Sequence, residues 1–402
     1  MDQHDYEGGF MRVDRVELFV TDLPARLRRR SAGSGSDTGE PGDVMGKPVL
    51  VKVFADGLVG YGQVRPTGRN HWLPDTSLSV VATLRDYYGP LLLGADITDL
   101  ERLWTEFDRT LPGNGPARAA IDFALHDLIG KAYGVPVHAL LGGAARPEIP
   151  LEWSVSLSES VEDMVHASVD VIERYGISNF SLKAGGPAGW RQDVRMLGAV
   201  REALGADVTI GLDANMAWTV GETIRAINAM ADFDVSYVEQ PIHKTDFVGL
   251  ARVRSAINGV ALIADEPIIA LHDVLRIVRA DAADAVCIKL AKIGGIRQAR
   301  KMTTIAEAAR IQVNVGGAAV MSQLEAAAIA HYYASVPAQH MLDGAEFVFA
   351  LAGVLADPLV PETDFAIRAD GHVAVPTSPG LGIRVDDNAV KELALVSEVV
   401  TG

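Results

Sequence analysis

From Glu152 onward the chain repeats one unit, a short apolar run that in most cases ends in a charged or polar residue and is followed by an amphipathic stretch. The runs are LEWSVSL, NFSLKAG, VTIGLDAN, VSYVEQP, ALIADEP, AVCIKLAK, IQVNVGG and HMLDGAEF. Lys183, Asp213, Glu239, Asp265 and Lys289 fall at intervals of 30, 26, 26 and 24 residues, each the length of one strand plus one helix. Strands alternating with helices at that spacing form a parallel sheet, and eight of them close into a TIM-type (β/α)7β barrel of the α/β class. Active sites of such barrels gather at the C-terminal ends of the strands, so these five residues are the first candidates.

The part before Glu152 has a different texture. RVDRVELFV alternates as a strand, and VLVKVFADGLVGYG reads as two strands joined at the turn signal Asp56-Gly57. Between them RLRRRSAGSGSDTGEPGD is too rich in Gly, Ser and charge to pack, and is expected to be a mobile, lid-like loop. From about Leu78 to Gly143 helical spacing dominates, with Ile121, Leu125, Leu128 and Ala132 on one face before Gly134 and Pro136 end the helix. At 402 residues two domains are the expectation. A net charge of −16 argues against nucleic-acid binding, which needs a basic face. The single cysteine, Cys287, excludes an internal disulfide framework and suits a reducing, cytoplasmic setting. MDQHDYEGGF has neither the basic nor the apolar region of a secretory leader, and no later run approaches the roughly 20 apolar residues of a membrane span. A soluble protein is expected.

Closing the barrel brings Asp213, Glu239 and Asp265 to one rim, where three uncompensated anions repel. One such residue alone is ordinarily a helix cap or a salt-bridge partner. Three on successive strands call for a divalent cation, and an all-oxygen set with positions left for water or substrate suits Mg²⁺, with Mn²⁺ as substitute, better than Zn²⁺. Lys183 and Lys289 end the second and sixth runs, on opposite sides of the mouth. A nearby cation and partial burial lower a lysine pKa, which is what a general base requires.

LKAGG with Lys183, LDANMAW with Asp213 and Asn215, VEQPI with Glu239, ADEP with Asp265 and Glu266, and IKLAKIGG with Lys289 together resemble the enolase superfamily, within the mandelate racemase/muconate lactonizing enzyme family and its muconate lactonizing subgroup. AAIDFALHDLIGKAYGVPVHALLGG is similar to the segment that joins that family's capping domain to its barrel. The resemblance covers nearly the whole chain. It implies an α+β capping domain over residues 1–145, a barrel over 146–370 and a segment 371–402 returning to the capping domain. It further implies a metal on Asp213, Glu239 and Asp265 that binds a substrate carboxylate and stabilises the enediolate formed when a lysine moves the α-proton. Lys183 and Lys289 would be acid/base groups on the two faces, with Asn215 supporting the metal or substrate. A homo-oligomer acting on a small carboxylate is implied as well.

Two positions depart from the subgroup. Ser181 stands where a second lysine is usual, on the face of Lys183, so one positive charge beside the base is missing. On the eighth strand Asp343 and Glu346 compete for the acidic position, and Glu346 is the expectation. Lid segments are expected at about Thr21 to Lys47, with Arg26, Arg28, Arg29 and Arg30, and at about Gln63 to Trp72, with Arg65, Arg69, His71 and Trp72. Arginines there would favour a second anionic group on the substrate, although charged loops are ordinarily only solvated. Trp72 either meets substrate or closes the domain interface. Cys287 reads as core, His126, His138 and His166 lack ligand spacing and read as surface or capping residues, and AKIGG lacks the ending of a phosphate loop. The leading expectation is a Mg²⁺-dependent isomerase, either a racemase/epimerase or a cycloisomerase. A carboxylate dehydratase or lyase and a non-catalytic metal-binding barrel are the alternatives.

Overall fold

The computed structural model describes residues 11–23, 30–32, 44, 46–66, 74–317, 322–354 and 356–401. Strands β1 (Val13–Thr21), β2 (Val49–Ala55) and β3 (Leu58–Val64) form an antiparallel meander. Val16, Leu18 and Val20 of β1 oppose Val53, Val51 and Val49 of β2, a cross-strand apolar ladder that pins the register. Asp56 and Gly57 both have positive φ, 47° and 79°, the backbone a two-residue hairpin turn requires.

Next come β4 (Glu148–Pro150) and the barrel strands β5 (Glu152–Val155), β6 (Asn179–Lys183), β7 (Thr209–Asp213), β8 (Tyr237–Glu239), β9 (Ala261–Ala264), β10 (Ala285–Ile288), β11 (Gln312–Val315) and β12 (Met341–Ala345). β5 to β12 pair in chain order, all parallel, and a parallel bridge between Leu151 and Ala345 closes the ring. At least one helix follows each strand from β5 to β11, giving the (β/α)7β order. The last two strands divide the C-terminal segment: β13 (His372–Ala374) pairs with β4 beside the start of the barrel, and β14 (Ala394–Val399) pairs with β1 as the fourth strand of the first sheet.

Helix Gly115–Tyr133 joins the two bodies. Every residue from Pro116 to Gly130 is buried, so the single apolar face read from Ile121, Leu125, Leu128 and Ala132 is too narrow. One side lies on the first sheet, where Asp127 accepts from the Tyr61 backbone N–H at 2.9 Å. The other meets the barrel, where Asp122 accepts from the Ile296 N–H at 2.6 Å. His126 is buried in this helix rather than at the surface, bonded through Nδ1 to the Asp122 carbonyl. Sheet and helix approach closely enough that a Cβ at position 62 would stand 2.0 Å from the Ala120 carbonyl oxygen. Gly62→Ala is therefore expected to lower stability by about 1–3 kcal/mol, read as a lower urea midpoint. No helix among the described residues is long and apolar enough to cross a membrane.

Candidate active site

Parallel register builds the site. Lys183 pairs with Asp213 and Asp213 with Glu239, while Glu239 pairs with Ile263, so Asp265 stands two residues further along the next strand. Alternation sends all of them to the barrel interior. Together with Lys289, just past β10, none is more than 6% exposed. Lys183 Nζ donates to Asp213 Oδ2 at 2.5 Å, and Lys289 Nζ to Asp265 Oδ2 at 2.6 Å with Glu239 Oε1 at 3.7 Å. A row of three carboxylates thus lies between two ammonium groups.

Several neighbours hold this row. Asn215 donates its backbone N–H to Asp213 Oδ1 at 2.9 Å and its amide to Asp213 Oδ2 at 3.0 Å and Glu266 Oε1 at 3.4 Å. Gln240 Oε1 accepts from the Asp265 N–H at 2.9 Å. Lys292, fully buried on the turn after Lys289, donates to Asp265 Oδ1 at 2.7 Å and to its carbonyl oxygen at 2.6 Å. The strand-end spacing points to neither Gln240 nor Lys292. Gln240 sits inside the VEQP motif, a signal that was available, whereas the Lys292 contact depends on a short helix whose direction spacing alone does not give.

The electrostatics follow from burial and crowding. Burial, then Asp213, pushes the Glu239 carboxyl well above its ordinary range. Burial, then Asp265 and Asp213, raises Glu266 to about 8. Burial works against the charged forms of Asp265 and Lys289 too, but it is outweighed. The two lysines hold Asp265 below the carboxylate range, and Asp265 above all holds Lys289 well above the usual lysine value. Acidic groups are crowded on this rim more closely than its lysines can neutralise while all remain ionised.

The residues present fit a hard divalent cation. Two buried acceptor oxygens, Asn215 Oδ1 and Glu266 Oε2, have no hydrogen-bond partner beside the row. Ligand atoms of Glu239, Asp265 and Cys287 lie within 4.8 Å of one another, a group that geometry alone would nominate as a metal site. The chemistry favours Asp213 over Cys287 as third ligand. Burial, then Asp265 and Glu239, pushes the thiol well above its ordinary pKa, so it stays protonated, and a hard cation takes oxygen. Cys287 packs with Tyr237, Ile263 and Ala285 instead.

The other candidates separate. Glu346 is buried inside the barrel, within the field of Lys289. Asp343 is not brought to the site: its carboxylate is 67% exposed and bonds Arg146 at 2.6 Å, because β12 slips register against β11 and Gly344 takes φ 100°. Ser181 is buried on the face of Lys183, its hydroxyl without a hydrogen-bond partner. Arg65 is buried and donates through Nε to the Gly46 carbonyl at 2.7 Å, beside Glu325 of the helix Gln323–Ser335, and Arg30 reaches Glu159 at 3.4 Å. Trp72, Arg26, Arg28, Arg29, Arg69 and His71 lie outside the described residues.

Residues 163–389 match the enolase C-terminal domain-like family, and residues 45–142 match the mandelate racemase/muconate lactonizing enzyme N-terminal domain. The chain belongs to the mandelate racemase/muconate lactonizing enzyme family. Family relatives span nearly its full length. It is 31% identical over 385 residues to a chloromuconate cycloisomerase of Pseudomonas putida, covering 95% of this chain and 98% of the relative. The crystal structure of N-succinyl Arg/Lys racemase from Bacillus cereus matches with TM-score 0.84 at 29% identity, covering 97% of this chain and all of that one. That of muconate lactonizing enzyme from Pseudomonas fluorescens, complexed with muconolactone, matches with TM-score 0.86 at 25% identity over 96% of this chain and all of that one.

Proposed function

We propose that this chain is a Mg²⁺-dependent isomerase that moves the proton beside a substrate carboxylate, as a racemase/epimerase or as a cycloisomerase. The observation that carries the reading is the pair of buried lysines, Lys183 and Lys289, at the two ends of one carboxylate row. Asp213, Glu239 and Asp265 would hold the metal, with Asn215 and Glu266 beside it. Bound there, Mg²⁺ would supply a positive charge that attracts the substrate carboxylate, stabilises the charge developing as the α-proton leaves, and lowers the proton affinity of both lysines. A neutral lysine takes the α-proton onto Nζ from one face of the substrate. In a racemase or epimerase the opposite lysine, as ammonium, returns a proton from the other face. In a cycloisomerase one lysine suffices. A cytoplasmic, self-associating enzyme is part of the same proposal, resting on the single buried Cys287 and on the family resemblance.

The ligand assignment separates Asp213 from Cys287. Asp213→Asn is expected to weaken Mg²⁺ binding, measured by calorimetry, by at least the roughly 10- to 100-fold that follows loss of an outer-shell partner. Cys287→Ser is expected to leave binding unchanged.

The activity is tested by incubating pooled carboxylates with Mg²⁺ and analysing the products. Muconates, dipeptides, N-acyl amino acids, proline betaines and acid sugars form the pools. A new stereoisomer identifies a racemase or epimerase and a lactone a cycloisomerase, each abolished by EDTA. A dehydrated product would replace the isomerase with a lyase, and a protein that binds Mg²⁺ yet converts nothing would favour a non-catalytic barrel.

A further inference from the structure

Beneath the carboxylate row lies a second tier of side chains. Ser181, Gly211 and Tyr237 each precede a site residue by two positions, Lys183, Asp213 and Glu239 respectively, so they face the barrel interior one layer down. The Tyr237 hydroxyl donates to Glu152 Oε2 at 2.7 Å, joining β8 to β5 across the two intervening strands. A Cβ at position 211 would stand 2.1 Å from the Tyr237 ring, so glycine is what lets the ring lie over β7. The Ser181 hydroxyl lies beside the phenol without the geometry of a hydrogen bond. Ring, hydroxyl and carboxyl make a bar under Lys183 and Asp213, with Glu152 3% and Tyr237 2% exposed. The layer beneath Lys289 is different, being the apolar Ile263, Ala285 and Cys287.

We propose that Glu152 and Tyr237 are positioning residues for Lys183, the tyrosine hydroxyl occupying a carboxyl that would otherwise draw the lysine away from Asp213. Burial, then Glu346, raises the Glu152 carboxyl to about 8, and the Tyr237 hydroxyl and the charge of Lys183 are the two groups that favour its ionised form. A buried carboxyl stripped of its donor seeks another, and Lys183 is the cation whose charge already acts on Glu152. The inference rests on Lys183 being one of the two acid/base groups.

The test compares wild type, Tyr237→Phe and the double variant Tyr237→Phe/Glu152→Gln, each first shown to melt cooperatively. Hydrogen exchange at the α-carbon in D₂O is resolved by face, using each substrate stereoisomer. Tyr237→Phe is expected to lower kcat on the Lys183 face by about 10- to 100-fold, as displacement of a reacting group by about 1 Å does, with KM unchanged and the Lys289 face within about twofold. The double variant is expected to recover most of that loss, because the amide no longer attracts the lysine. Equal losses on both faces, no loss, or no recovery would overturn the proposal. Should wild type exchange on only one face or on neither, which bears on the proposed function instead, crystal structures decide. Lys183 Nζ is then expected on Glu152 in Tyr237→Phe while Lys289 remains on Asp265, and an unmoved Lys183 overturns the inference.

Discussion

In urea, the Asp265→Asn protein is expected to unfold with about 3–5 kcal/mol less stability than wild type, measured without metal. Asp265 is 1% exposed and is bonded by two lysines, Lys289 at 2.6 Å and Lys292 at 2.7 Å. Both ammonium groups are buried, and the neutral amide takes away the carboxylate that they share, leaving Lys289 with Glu239 at 3.7 Å. Removing one of the stranded charges should therefore recover part of the loss, so Asp265→Asn/Lys292→Met is expected to be more stable than Asp265→Asn alone. A single variant as stable as wild type would mean that Lys289 and Lys292 find other partners at no cost, and the electrostatic description of the rim would fail.

Replacing either flanking lysine with methionine is expected to remove proton transfer on one face of the substrate by about 10²- to 10⁴-fold, the usual contribution of a positioned acid or base. Methionine keeps the length and burial of the side chain without the amine. Lys183→Met and Lys289→Met should both retain Mg²⁺ binding, since neither lysine is a ligand. In a racemase or epimerase each variant keeps exchange with one stereoisomer only, and the two variants show opposite preferences. In a cycloisomerase one of them is inactive and the other only impaired. The measurement is single-turnover exchange from each stereoisomer, which separates loss of the base from loss of substrate binding.

The carboxylate row was legible because Asp213, Glu239 and Asp265 each close an apolar run at one strand-plus-helix period, and parallel pairing carries that spacing directly into adjacency. Lys183 and Lys289 were legible for the same reason. Residues placed by anything other than a strand were not. Lys292 reaches Asp265 from the short helix Leu290–Ile293, which strand parity does not describe. Glu152 and Tyr237 are 85 residues apart, and their contact depends on a missing side chain at Gly211. Asp343 and Glu346 differ by an odd number of residues, which places them on opposite faces of a regular strand, but β12 is irregular and parity could not say which face was which. Arg65 looked like a lid arginine from its neighbours, yet it is buried just past the end of β3 with its Nε on the Gly46 carbonyl.

Exchange of the α-hydrogen in D₂O with Mg²⁺, followed by proton NMR on a substrate found in the pooled screen, reads the central event most directly. Wild type is expected to place solvent deuterium at the α-carbon, as loss of the α-proton signal in a racemase or epimerase or as a monodeuterated methylene in the lactone of a cycloisomerase. EDTA suppresses it, and Lys183→Met and Lys289→Met lose it face by face in the first case and unequally in the second. Product formed with no solvent deuterium at the α-carbon, or deuterium incorporation that survives the loss of both lysines, would contradict this mechanism.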